Sequence, residues 1–200
     1  MKKYLFLGII FILLTGCRKT DSIIFKEDYE SLNNVSNYVN VSIPSDNPFI
    51  PITDSKLVLK IKNKDDMVIF FGSSKSNDSR SLVGELIKVA GNLNIKEIYY
   101  LDLENIRDLK EKNEEGNIIT STPGSDSYNE LLNILDEYLE DYTINTEKVG
   151  KRIYIPSILM IKNKQIESIL DLREGDPESL LSTYLERYSV NTCNANESDC

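Results

Sequence analysis

The part of the chain that most restricts its fold is residues 67–80. An unbroken apolar run, Met67-Val68-Ile69-Phe70-Phe71, stops at Gly72 and opens into Ser73-Ser74-Lys75-Ser76-Asn77-Asp78-Ser79-Arg80. A strand facing water on one side alternates polar and apolar residues, so consecutive apolar side chains predict a strand covered on both faces. Asp78 or Ser79 suits the N-cap of a helix that Leu82, Val83, Leu86, Ile87, Val89 and Ala90 then predict. Strand, polar loop and helix in that order place the loop where ligands usually meet a sheet. The fold class that follows is α/β, a central sheet flanked by helices.

Further along, residues 95–103 (Ile-Lys-Glu-Ile-Tyr-Tyr-Leu-Asp-Leu) predict a second strand. Residues 105–124 are charged and turn-rich, which predicts a surface insertion. Leu131, Leu132, Ile134, Leu135, Tyr138 and Leu139 recur at helical spacing, so a helix is expected over 127–140 with its acidic side in solvent. Residues 152–166 predict a strand pair turning at Lys162-Asn163-Lys164. Asp176-Pro177-Glu178 reads as the N-cap, first-turn proline and acidic first turn of a last helix reaching about Tyr188.

The N-terminus reads as an export signal. Met1-Lys2-Lys3 is basic and residues 4–14 are apolar, too short a run to span a bilayer. The run ends in Leu14-Thr15-Gly16-Cys17, which resembles the bacterial lipobox. That resemblance implies a signal peptide over 1–16 and acylation of Cys17, and hence a lipid-anchored protein on the extracytoplasmic face of the cell membrane. Residues 17–51 are rich in Ser, Asn, Asp and Pro and read as a polar tether, with a short strand near 38–43 where Val39, Val41 and Ile43 alternate with polar residues.

Residues 52–190 are expected to form a single domain, and 191–200 a polar tail. In an exported protein Cys193 and Cys200 predict an intramolecular disulfide stapling that tail. A redox-active pair is the alternative, disfavoured because Glu197 and Asp199 raise thiol pKa values.

Over about 53–188 the chain resembles the thioredoxin-like superfamily, in particular the thioredoxin-like lipoproteins and bacteriocin-transport accessory proteins. The residues that carry the resemblance are the Gly72-to-Ser79 loop, Tyr99-Tyr100-Leu101-Asp102, and Ile155-Pro156 ahead of a strand. In that family the loop holds a Cys-x-x-Cys, and here its two positions are Ser76 and Ser79. The resemblance implies a mixed sheet with two parallel central strands and a terminal hairpin, a cis bond before Pro156, and a groove made by Ile155, Pro156, Lys75, Asn77 and Asp78. It also favours a helix capped by Thr53 or Asp54, although Lys56-Leu57-Val58-Leu59-Lys60-Ile61-Lys62 alternates enough to be a strand.

Chemistry narrows the function. Dithiol exchange needs a thiolate and a resolving thiol, and two serines supply neither. The chain has no histidine, which removes every histidine-dependent hydrolase, and a charge of −9 with no sizeable basic patch disfavours both nucleic acid and anionic lipid headgroups as partners. Loss of a leader carrying Lys2, Lys3 and no acid takes that charge to −11. Neither a cofactor nor a metal is implied: Asp102, Glu104 and Asp108 lack the spacing of a calcium loop. Adjacent Ser and Lys residues on one loop make a poor nucleophile and base pair, while hydroxyls at a helix N-terminus suit an anion. The expected function is a non-catalytic binding or accessory module for an exported protein or peptide segment. The alternatives are a thiol-disulfide oxidoreductase, displaced to the tail cysteines or inactivated by Cys-to-Ser change, and a bacteriocin-associated accessory or self-protection protein.

Overall fold

A computed structural model describes residues 20–173 and 175–189. The expected signal peptide over 1–16, Cys17, Cys193 and Cys200 lie outside the described residues. In chain order the elements are α1 (Asp21–Glu30), β1 (Phe49–Pro51), α2 (Asp54–Asn63), β2 (Met67–Gly72), α3 (Asn77–Asn92), β3 (Ile98–Asp102), β4 (Leu109–Lys112), β5 (Ile118–Thr122), α4 (Asp126–Ile134), β6 (Glu140–Ile144), β7 (Glu147–Arg152), β8 (Ser157–Lys162), β9 (Gln165–Asp171) and α5 (Pro177–Ser189).

Five strands form one mixed sheet in the order β1-β3-β2-β8-β9. β1 and β2 run parallel to β3, whereas β8 is antiparallel to β2 and β9 to β8. Every residue of β2 is buried, as its apolar run requires. Its side chains alternate between two cores, because successive residues of a strand point to opposite faces. Val68 and Phe70 join Phe25 and Tyr29 of α1, Leu82 and Leu86 of α3, and Leu181 and Leu185 of α5. Met67, Ile69 and Phe71 join Leu57, Val58 and Ile61 of α2 with Tyr128 and Leu131 of α4. Helices therefore cover both faces.

The stretch 17–51 was expected as a tether, and its described part is built into the domain instead. Phe25 and Tyr29, four residues apart on α1, share one side of that helix and are both fully buried. Phe25 stacks on Phe49 at 4.0 Å and meets the edge of Tyr100 at 4.8 Å. Phe49 opens β1, the strand at one edge of the sheet. Burying these rings outweighs the polar composition around them, since a buried aromatic contributes far more area than a serine or asparagine.

The strand expected near 38–43 does not form. The Asn33 side chain donates to the Val41 carbonyl at 2.7 Å and accepts from its amide at 2.9 Å, taking the backbone groups a ladder would use. Residues 54–63 are helical, with Leu57, Val58 and Ile61 buried and Leu59 left 61% exposed. The helix expected over 127–140 ends at Ile134, followed by one 3-10 turn at Asp136–Tyr138. The charged insertion contains the β4–β5 hairpin, and a second hairpin, β6–β7, follows where only helix and loop were expected.

Candidate functional site

At the C-terminal end of β2 the chain enters the serine loop. α3 begins at Asn77, so its N-cap is Ser76, ahead of the expected Asp78 or Ser79. The Ser76 Oγ accepts from the Ser79 amide at 3.2 Å, and the fully buried Ser79 Oγ accepts from the Ser73 amide at 3.3 Å. Ser73 Oγ accepts from the Lys75 amide at 3.1 Å and donates to a Glu104 carboxylate oxygen at 3.4 Å. The hydroxyls of Ser76 and Ser79 are thus used to close the loop and start the helix.

The Ile155–Pro156 peptide bond is cis, the isomer the resemblance implies. Phe71 pairs with Ser157 across the β2–β8 ladder, so the loop after Gly72 and the turn before Ser157 leave neighbouring strands at the same end of the sheet. Pro156 is buried and its carbonyl accepts from Leu172 N at 3.1 Å. Ile155 is half-buried, while Lys75 and Asp78 are exposed.

Asn77 departs from its expected place in the groove. Its side-chain amide donates to the Asn37 carbonyl at 2.9 Å and its oxygen accepts from the Val39 amide at 2.9 Å. Both ends therefore hold the segment after α1. Beside it Arg80 is 1% exposed. Its guanidinium donates to the carbonyls of Val39 at 2.6 Å, Tyr29 at 2.7 Å and Ser74 at 3.0 Å, and to Asn33 Oδ1 at 2.9 Å. This cation is satisfied by neutral oxygens alone, and it locks residues 29–39 to one flank of the loop. Sequence reasoning missed it, because an arginine at a helix start ordinarily points to solvent.

Behind the loop lies a second group the sequence did not announce. Tyr29 and Tyr100 meet edge to face at 5.6 Å, and burial, the foremost cause, raises both phenols well above the ordinary tyrosine range. Asp28, on the same helix end, has its carboxyl raised by burial and by the charge of Asp102, against the opposing effects of a Ser74 hydrogen bond and of Arg80 and Lys75. The site end of the sheet is thus acidic and hydroxyl-rich, with Lys75 as its exposed cation.

Among the described residues no group of three or more His, Cys, Asp or Glu is arranged to hold a metal. Asp108, read with Asp102 and Glu104 as an acidic edge, is instead held by Arg152 at 3.3 Å and Lys110 at 3.6 Å. A cleft of about 500 Å³ sits at the opposite end of the sheet, lined by Ile61, Lys64, Ile161 and Lys164 among others. Neither a protein-family model nor a curated protein matches the chain.

Proposed function

We propose that this protein is a lipid-anchored, extracytoplasmic binding module with a thioredoxin-like fold and no dithiol centre. An extended segment of an exported partner docks between the Ser76 loop and Ile155-Pro156, held by main-chain hydrogen bonds rather than by a mixed disulfide. The observation that carries this reading is the pairing of Phe71 with Ser157, which sets a serine-closed loop beside a cis proline on adjacent central strands. The strand order β1-β3-β2-β8-β9, with helices on both faces, supports the thioredoxin-like assignment. Closure of the loop by Ser76 and Ser79 supports holding over exchange, because a hydroxyl forms no covalent bridge to a partner's sulfur.

The test is disulfide trapping with the full chain in intact cells. Ser76→Cys places a thiol at the groove, and Ser45→Cys places one on the exposed loop before β1 at the far end. A partner adduct formed by the first variant and not the second, and weakened by Ile155→Asp, is expected. Equal adducts from both positions overturn the assignment of the groove.

A further inference from the structure

We propose that the domain rests directly on the bilayer surface through the end of the sheet where α1 begins, leaving the Ser76–Pro156 groove turned away from the bilayer. This rests on acylation of Cys17 as proposed above.

The direction of α1 carries the inference. At its start, the Ser22 carbonyl accepts from the Asn47 side chain at 2.9 Å, just before the chain enters β1. At its end, the Tyr29 carbonyl accepts from Arg80, just after the chain has left β2. The helix therefore runs from the N-terminal edge of the parallel strands to their C-terminal edge, where the groove lies. The six residues of β2 separate those edges by about 20 Å.

Covalent geometry then limits where a bilayer can be. Described structure begins at Thr20, three residues beyond Cys17, and three residues reach at most about 11 Å. A lipid on Cys17 leaves no room for a spacer, so the start of α1 lies close to the headgroups and the groove faces outward.

Shape, and the contrast in charge between the two ends, agree with this placement. The α1-start end carries the exposed Lys64, Lys96 and Lys164, none of which makes an ion pair among the described residues. The acids at this end are the exposed Asp21 and Asp46, Asp65, paired with Lys60 at 3.3 Å, Asp66, whose carboxylate accepts the Lys164 amide at 2.9 Å, and Glu97 beside Lys96, so the face carries both signs without a basic excess. The cleft of about 500 Å³, apolar in Ile61, Ile134, Ile161 and Ile166 and rimmed by Lys64 and Lys164, opens at this same end. Lys64 and Lys164 both sit at positive φ, 58° and 64°, where glycine or asparagine is the less strained choice. The groove end is the more acidic of the two, with Asp28, Asp78, Asp102 and Glu104 against the exposed Lys75, and anionic headgroups repel it more strongly.

The experiment uses full-length protein, acylated in cells and reconstituted in vesicles of phosphatidylglycerol and phosphatidylcholine that contain a headgroup quencher. Cys193 and Cys200 are replaced by serine, and a fluorophore is attached through Asn163→Cys or Asp78→Cys. Several-fold stronger quenching at position 163 than at 78 is expected. Inserting a Gly/Ser spacer of about 20 residues before Thr20 should relieve it, and Lys64→Glu with Lys164→Glu should reduce it. Equal quenching at the two positions, or stronger quenching at 78, in protein whose acylation mass spectrometry has verified, overturns the orientation while leaving the anchor intact. An unmodified Cys17 overturns the anchor and this proposal together.

Discussion

The guanidinium of Arg80 donates to the backbone carbonyl of Val39 at 2.6 Å, across 41 positions of sequence. Through that bond and its neighbours, the segment that joins α1 to β1 becomes one wall of the serine loop. The loop is consequently braced on the β3 side by Asn77 and Arg80 and open on the β8 side, toward Pro156. A docking partner meets a surface that is already ordered, which lowers the entropy cost of binding.

Replacing Arg80 by methionine should expose how much this brace contributes. The carbonyls of Tyr29, Ser74 and Val39 lose a donor in a buried setting, and each unsatisfied group costs about 1–3 kcal/mol. We expect a total loss of about 3 kcal/mol in urea unfolding. Amide exchange at Val39, whose N–H is held by Asn77, should also quicken relative to the β2 amides.

If residues 21–51 belong to the fold, Phe25→Ala must behave as a core substitution. Phe25 is fully buried between Phe49, Tyr29 and Tyr100, so truncation should cost about 3–5 kcal/mol. A flexible spacer would give no change in the unfolding midpoint.

Ser76→Ala removes the side-chain acceptor of the Ser79 amide at the start of α3, and should cost about 1 kcal/mol. Asn at this position can also cap, so Ser76→Asn should restore most of the loss. Thermal unfolding of the two variants side by side checks the role.

Asp28 gives a pH dependence with a definite sign. Its folded carboxyl is raised above the ordinary 3.8, burial being the main cause. Between the unfolded and folded values the native state binds the extra proton, so stability falls as pH rises through that window and the full cost persists above it. Asp28→Asn should therefore be more stable than wild type at neutral pH, with the gain vanishing below about pH 4. The side chain is only partly buried and solvent screens it, so the gain should stay under about 1 kcal/mol. Urea midpoints across the acid range measure it.

Much of the sheet is legible in the sequence because its strands are buried on both faces. The run Met67-Val68-Ile69-Phe70-Phe71 is short, unbroken and stopped by Gly72, as a strand covered on both faces requires, and Asp176-Pro177 marks the start of α5 where the helix is found. The Asn163-Lys164 turn likewise carries its signal locally, with both residues at positive φ. What escaped depends on contacts distant in sequence. Phe25 and Tyr29 look like isolated apolar residues until Phe49 and Tyr100 arrive beside them. The β6–β7 hairpin is strongly charged and has no fully buried residue, so periodicity had little to register. At the site, the Ser76 and Pro156 neighbourhood was readable, whereas Asn77 and Arg80 face a segment about 40 positions away whose approach no local pattern encodes.

The central claim, holding without thiol chemistry, meets its most direct test in an insulin-reduction assay on the wild-type chain supplied with dithiothreitol. The account predicts no acceleration over the reductant alone, since neither Ser76 nor Ser79 can form or resolve a mixed disulfide. Turnover at rates typical of dithiol catalysts would contradict it.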